Sequence, residues 1–271
     1  MFLLFDIGGT HVRLSIAPDI NTLSDPLIFD TPQNFDEFET RLKYFLDKNL
    51  KEQKIEKIVG GIAGVLNDDR TKLLNSPNLQ GWVGKPLKEV MQTVTGCEDI
   101  TIENDANLCA LGEATEGAGK DFEIVAYITI GTGIGGSRIV NQKIDKNTFG
   151  FEPGHQILKI SPDRKLETFE QLAGGNALHK KYGQHVHDIE DLEVIDEIYF
   201  NTACGIHNTI LHWSPDVVVL GGSIGEDLDI PKLKSYLEEV MFIFKKLPQI
   251  RSAKLGKSNG VVGAFHLLKF G

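Results

Sequence analysis

From Phe2 to Phe5 the chain is apolar, Asp6-Ile7-Gly8-Gly9-Thr10 interrupts it, and Val12, Leu14 and Ile16 then alternate with Arg13, Ser15 and Ala17. Strand character on both sides of a glycine turn predicts a β-hairpin with a polar tip. Asn34 and Glu37 have the spacing of a helix N-cap and its partner, and Phe35, Phe38, Leu42, Phe45 and Leu46 then fall on one helix face. Strand character resumes over Ile58–Ala63, broken by Gly60, Gly61 and Gly64, and Asn75-Ser76-Pro77-Asn78-Leu79 has the composition of a loop. Ile100–Ile102 predicts a short strand, from which Glu103-Asn104-Asp105 leads into a helix carrying Ala106, Ala110, Leu111 and Ala114.

From Ile124 the opening pattern repeats: a strand to Ile130, a glycine turn Gly131-Thr132-Gly133-Ile134-Gly135-Gly136, then Ser137-Arg138-Ile139-Val140. Two such hairpins point to an internal duplication. Ile189, Leu192, Ile195, Ile198, Tyr199, Ala203, Ile206 and Ile210 recur at helical steps, predicting a long helix to about Trp213 that stops before Pro215. Val217–Leu220 is an apolar strand closed by Gly221-Gly222-Ser223, and Val261–Phe270 predicts a terminal helix. Strands alternating with helices give an α/β class.

A length of 271 residues suits two modest domains or one large one, and a hinge is expected near residues 104–120. With 41% apolar and 24% charged residues, the chain is not disordered, collagen-like or a coiled coil. No apolar stretch approaches the roughly 18 residues of a membrane span, and Met1–Asp6 lacks the features of a secretory leader. The expectation is a chain that begins inside its fold and has no membrane partner. Against 38 acidic residues stand 28 basic ones, a net charge of −10 that argues against nucleic acid as a partner. Cys97, Cys109 and Cys204 are widely separated and odd in number, so neither a disulfide framework nor a cysteine-rich metal site is written here and a cytoplasmic location is expected. The Lys/Glu-rich stretch Lys48–Lys57 reads as solvated surface.

Each glycine turn follows a strand, and successive backbone N–H groups in such a turn make a concave anion site. Neither turn ends in the Lys-Ser/Thr of a P-loop, and Gly131-x-Gly133-x-Gly135 lacks the dinucleotide spacing, so phosphates would be held by another mechanism. Asp6, at a strand end, suits a Mg²⁺ held through water, because that ion prefers oxygen ligands and keeps several waters. Asp105 stands where a helix begins, and on local sequence alone it reads first as an N-cap. His185-Val186-His187 beside Asp188 reads as a solvated loop rather than a metal site.

Five motifs, in order, resemble those of the ROK kinases, mostly sugar kinases, of the sugar kinase, Hsp70 and actin superfamily. Asp6-Ile7-Gly8-Gly9-Thr10 resembles the first phosphate motif, Gly131 to Gly136 the second, and Leu220-Gly221-Gly222-Ser223 the motif near adenosine. Glu103-Asn104-Asp105-Ala106-Asn107 resembles the catalytic segment and Glu152-Pro153-Gly154-His155 the Glu-x-Gly-His sugar motif. The resemblance implies a two-lobed actin-like ATPase fold, duplicated ribonuclease H-like domains about a central cleft. Its lobes would be 1–106, with the terminal helix 259–271 packed back on it, and 107–258. It implies ATP-dependent phosphorylation of a hexose, glucose by default, at the C6 hydroxyl with Asp105 as the base, and ATP and phosphate contacts from Asp6, Gly8, Gly9, Thr10, Thr132, Gly133, Gly135, Gly221, Gly222 and Ser223. Sugar contacts would come from Gly64, Asn78, Asn104, Asp105, Glu152, His155 and Glu170, the last in Thr168-Phe169-Glu170. Mg²⁺ and a homodimer complete the implied picture. An N-acetylhexosamine or fructose acceptor, polyphosphate as donor, and a catalytically idle sugar sensor are the alternatives. A repressor would carry a DNA-binding module before the first phosphate motif, and with that motif at Asp6 none is expected.

The chain departs from the family in one respect. Most ROK kinases hold a zinc with the His of Glu-x-Gly-His and three cysteines soon after it, whereas Gln156–Glu170 contains no cysteine. Structural zinc is almost always four-coordinate through sulfur and nitrogen, so no zinc site is expected here.

Overall fold

A computed structural model describes residues 1–50 and 53–271, and the chain divides into two compact units, residues 1–112 with 257–271 and residues 113–256. In the first unit β1 (Phe2–Ile7) and β2 (His11–Ala17) form the expected hairpin and β3 (Leu27–Asp30) extends it. There follow α1 (Phe35–Leu50), β4 (Lys57–Ile62), the small pair β5 (Val65–Leu66) and β6 (Leu73–Asn75), α2 (Leu87–Thr95), β7 (Ile100–Asn104) and α3 (Asp105–Thr115). The sheet order is β3-β2-β1-β4-β7, antiparallel through the hairpin and parallel across β1, β4 and β7.

Because side chains alternate along a strand, Leu3, Phe5 and Ile7 of β1 enter the core shared with α1 and α2, while Leu4 joins the opposite core with Leu108 of α3. The buried residues of α1 are Phe35, Phe38, Leu42, Phe45 and Leu46, the face its periodicity predicts. Asn34 Oδ1 accepts the Asp36 N–H at 2.9 Å, but Glu37 turns outward to Arg41 instead of closing a capping box. Within the stretch read as solvated, Ile55 is buried in the core of the first unit, and residues 51 and 52 lie outside the described residues.

In the second unit β8 (Ile124–Ile130), β9 (Ile134–Val140) and β10 (Lys143–Ile144) precede a two-stranded hairpin, β11 (Ile157–Ile160) and β12 (Leu166–Thr168). Then come α4 (Phe169–Ala173), α5 (Gly175–Tyr182), α6 (Leu192–Trp213), β13 (Val217–Gly221), α7 (Gly222–Gly225), α8 (Ile230–Val240) and β14 (Gln249–Ser252). The sheet order β10-β9-β8-β13-β14 repeats that of the first unit, a hairpin continued by two parallel strands. The duplication suggested by the two glycine turns is therefore a duplication of whole sheets.

The long helix α6 starts later than its pattern predicts. Asp191 caps it, accepting the Glu193 N–H at 2.9 Å, so Ile189 precedes the helix and Leu192 is exposed. The last helix, α9 (Asn259–Phe270), belongs to the first unit, where Val261, Ala264 and Phe265 pack with Leu4, Val59 and Leu108. Gly112 and Gly263 let α3 and α9 touch backbone to backbone: a Cβ on Gly263 would stand 1.9 Å from Leu108 O. Among the described residues no helix is long and apolar enough to cross a membrane.

Candidate active site

In the first unit the C-terminal ends of three parallel strands line up, with Asp6 paired to Gly61 and Gly61 to Glu103 across β1, β4 and β7. This is the end of an open α/β sheet where ligands bind. The turn after β1 is closed by Gly8 N–H donating to His11 O at 2.9 Å, and Thr31 straps it by donating to Gly8 O from its hydroxyl and to Thr10 O from its amide. The amides of Gly9 and Thr10 have no acceptor among the described residues, as an anion-binding turn requires. Asn78 seats directly on this turn: a Cβ on Gly9 would stand 2.5 Å from Asn78 Cβ.

Asp6 lies beneath the turn, 4% exposed, with Arg13 Nη1 donating to its Oδ2 at 3.0 Å. Burial raises the Asp6 carboxyl above its ordinary value, and the Arg13 charge opposes that shift. The first turn of α9 covers the same carboxyl, for a Cβ on Gly260 would lie 2.7 Å from Asp6 Cγ. Asp6 Oδ1 has no hydrogen-bond partner among the described residues. A single carboxylate oxygen under a phosphate turn fits Mg²⁺, which needs one or two carboxylates beside phosphates and water.

The Glu103–Asn107 segment is built by Glu103, which is buried. Its Oε1 accepts from Asn104 N–H at 3.0 Å and Asn107 Nδ2 at 3.1 Å, and its Oε2 is bridged by Arg70. Asn104 caps α3, its Oδ1 accepting the Asn107 N–H at 3.2 Å, while its Nδ2 donates to Gly64 O at 3.1 Å. The cap is therefore Asn104, and Asp105 is the first helical residue, at the positive end of the α3 dipole. One Nδ2 hydrogen of Asn104 remains for a ligand. Gly64 has φ +128°, and a Cβ there would meet Asn75 O at 2.5 Å, so only glycine fits between Asn104 and the Asn75–Ser76 loop.

The second unit repeats the phosphate turn. Gly131 N–H donates to Gly133 O at 2.9 Å, and the first amides of α5, Gly175 and Asn176, donate to Gly131 O and Thr132 O. The Thr132 and Gly133 amides have no acceptor among the described residues, matching Gly9 and Thr10. Gly135, the second residue of the return strand, pairs with Thr129. Beside it β13 ends at Gly221. Gly222, at φ +80°, lies against Ile130 O, and Ser223 Oγ faces Gly131. The second and third motifs thus share one end of one sheet.

Glu152-Pro153-Gly154-His155 forms a single 3₁₀ turn packed on β9, where a Cβ on Gly154 would come within 2.1 Å of Ile134 O. His155 Nδ1 approaches Glu152 Oε2 at 3.4 Å on the surface. Burial and the nearby Glu170 charge raise the Glu152 carboxyl, with His155 pulling the other way. Glu170 reaches the phosphate turn itself: its Oε2 accepts the Ile134 N–H at 2.6 Å and lies against Gly133. It thereby links the sugar motif to the second phosphate motif.

Hydrogen bonds build the stretch between them. Ser161 N–H donates to Lys165 O at 3.0 Å and Arg164 N–H to Ser161 O at 2.8 Å, closing the β11–β12 hairpin. Phe169 N–H donates to Gln156 O at 2.9 Å, and Thr168 and Gln171 form a capping box that starts α4. Among the described residues no group of three or more His, Cys, Asp and Glu side chains is arranged to hold a metal.

Arg13, Arg70 and Gly260 are the residues of these sites that motif reading passes over. A signal existed for Arg13, since a hairpin centred on Gly9-Thr10 sets Arg13 opposite Asp6. No local signal ties Arg70 to Glu103 or Gly260 to Asp6.

The ROK family model matches residues 3–270. A glucokinase of Streptomyces coelicolor is 25% identical over 97% of this chain and 96% of its own length. An N-acetyl-D-glucosamine kinase of Histophilus somni is 27% identical over 97% of both. The solved ROK family glucokinase of Streptomyces griseus, in complex with glucose and AMPPNP, superposes with a TM-score of 0.79 at 24% identity, covering 100% of this chain and 99% of its own. The fold is accordingly the actin-like ATPase fold of that group.

Proposed function

The chain belongs to the ROK family, and on that premise we propose that it is a hexose kinase, transferring the γ-phosphoryl group of ATP to the C6 hydroxyl of glucose. The observation that carries the reading is the pair of matching turns, each with two unengaged amides at the C-terminal edge of its sheet, together with Asp105 as the first residue of a helix that Asn104 caps. Phosphoryl transfer asks a protein for positioning and for dipoles that absorb charge, more than for covalent chemistry.

In this reading the backbone amides of Gly8, Gly9, Thr10, Thr132, Gly133 and Gly135 serve phosphate oxygens, while Gly221, Gly222 and Ser223 border the adenosine. Gly64, Asn78, Asn104, Glu152, His155 and Glu170 are the candidates for orienting the sugar hydroxyls. Asp105 accepts the C6 hydroxyl proton as the new O–P bond forms and the bond from the γ-phosphorus to the bridging oxygen breaks, releasing ADP. Asp6 would hold Mg²⁺ through water, and that ion supplies charge neutralisation on the phosphates.

Relatives that act on glucose and on N-acetylglucosamine match this chain with similar identity, so the acceptor is the point to test. ADP release, measured with ATP against glucose, N-acetylglucosamine, N-acetylmannosamine and fructose, is expected to be fastest with glucose. Replacing ATP by polyphosphate in the same panel tests the donor. No phosphorylation of any hexose from either donor would overturn the reading. A homodimer belongs to the same reading.

A further inference from the structure

We propose that Arg70 is a positioning residue for the transfer, fixing Asp105 through the buried carboxylate of Glu103; the proposal rests on the kinase reading above. Glu103 clamps the start of α3 from both sides of Asp105. Its Oε1 accepts the Asn104 N–H at 3.0 Å and Asn107 Nδ2 at 3.1 Å, and the Asn107 N–H returns to Asn104 Oδ1 at 3.2 Å. One carboxylate oxygen therefore holds the residue before Asp105 and the residue two places after it. Such a clamp works only while the carboxylate keeps its rotation, and the end torsion of a glutamate is broad. The second oxygen decides it. Oε2 accepts from Arg70 Nη1, and among the described residues Arg70 is the only cation paired with Glu103, whose side chain is 8% exposed.

The backbone that delivers Arg70 is a strained one. Arg70 closes a turn in the loop between β5 and β6, its N–H donating to Asn67 O at 2.9 Å. Its φ of +53° lies in the left-handed region, where glycine is at ease and a long side chain is not. Asn67 holds this conformation, its Oδ1 accepting the amides of Thr71 at 2.8 Å and Lys72 at 3.0 Å. Lys88 of α2 fixes the loop from its other side by donating its N–H to Thr71 O at 3.2 Å. The turn itself has no use for a guanidinium, and what the side chain adds is the contact with Glu103.

The same hairpin carries the chain from β6 into Ser76, whose Oγ donates to Ala63 O at 2.8 Å, and on to Asn78, the residue seated on Gly9. Arg70 thus ties the hairpin that leads to the turn after β1 to the helix start that bears Asp105, all within the first unit. A reacting group misplaced by about 1 Å loses on the order of 100-fold in rate, so a contact that touches no ligand can govern turnover.

Arg70→Gly and Arg70→Asn both suit the backbone of the turn and remove the charge. Each is expected to keep the wild-type circular dichroism and, with glucose and ATP, to lower kcat at least about tenfold while KM for ATP moves less than about twofold. Arg70→Lys keeps the cation without the planar fork and is expected to lose less than about threefold. In a Glu103→Gln background Arg70→Gly should add less than about threefold, because residues that act through one another are not additive. Hydrogen exchange read by NMR should quicken at least about tenfold at the Asn104 and Asn107 amides of Arg70→Gly and stay unchanged in β1. Wild-type kcat in both charge-free variants, a raised KM for ATP with kcat unchanged, or an undiminished loss in the Glu103→Gln background would reject the positioning role. A wild-type chain that phosphorylates no hexose rejects the kinase reading instead, and the exchange rates then decide: unchanged rates at Asn104 and Asn107 would reject the clamp.

Discussion

Asn104 and Asp105 are sequence neighbours to which a helix start offers the same task, and the hydrogen bonds assign it to Asn104. A carboxylate that caps a helix is held against backbone amides, whereas one at the first helical position feels the dipole without being the cap. Asp105→Asn keeps the shape and one acceptor but cannot take a proton, so turnover is expected to fall by at least about 100-fold while sugar binding persists. Steady-state kinetics beside a sugar-binding titration read both, and retention of more than about a tenth of wild-type turnover would refute the assignment. Glu152 gives a pH prediction. Burial first, then the Glu170 charge, raises its carboxyl above the ordinary 4.5. A raised carboxyl binds its proton more tightly folded than unfolded. Its stabilising effect is therefore full below the unfolded value and lost as pH rises through the folded one, leaving ionised Glu152 a cost at neutral pH. Because the Glu152 side chain is 49% exposed and water screens much of the effect, Glu152→Gln should melt only slightly above wild type at pH 7, with the difference closing below about pH 4.5, as thermal melts at the two pH values would show. In the wild type the KM for sugar should rise as pH falls toward the raised value, and a flat KM profile would count against Glu152 as a sugar acceptor.

At the level of elements, the contact of α3 with α9 couples the Asn104–Asp105 helix start to the turn after β1. Asp105 begins one of these helices and Gly260, against Asp6, lies in the first turn of the other. Gly263→Ala forces a methyl into Leu108 O. It is expected to destabilise by about 1–3 kcal/mol in denaturant titration, in the range of overpacked cores, and to lower turnover without touching a ligand. The β11–β12 hairpin makes a second case. Its ladder, its Ser161–Lys165 turn and the Thr168 capping box hold this stretch together by hydrogen bonding. Elemental analysis should find no stoichiometric zinc; one tightly held zinc per chain, with activity lost on chelation and not recovered with Mg²⁺ alone, would overturn this. Thr168→Ala removes an N-cap worth about 1 kcal/mol, and since Glu170 sits in the helix it caps, KM for sugar should rise more than the stability falls in proportion.

For the whole molecule, Mg²⁺ is the metal whose removal should matter: chelation should abolish transfer and Mg²⁺ alone should restore it in a coupled ADP assay. The duplicated sheets also explain why so much of this chain was legible from its residues in order. The hairpins β1–β2 and β8–β9, the apolar face of α1, the strand β13 and the order of the five motifs are all written in near neighbours, through side-chain periods of two and 3.6 and through the backbone freedom of glycine. Those are local constraints, and a sequence states them by itself. Which polar groups meet is a different kind of fact. Arg70 reaches Glu103 across 33 residues, Glu170 takes the Ile134 amide across 36, and Gly260 covers Asp6 from the far end of the chain. Each depends on strand register, where a slip of one residue would turn the side chain to the other face, and on how helices pack over the sheet. The sequence by itself determined the elements, their order and the chemistry available; only the tertiary structure decided that Asn104 caps, that Glu170 braces the phosphate turn and that Arg70 holds Glu103, because those outcomes are set by partners no local pattern names.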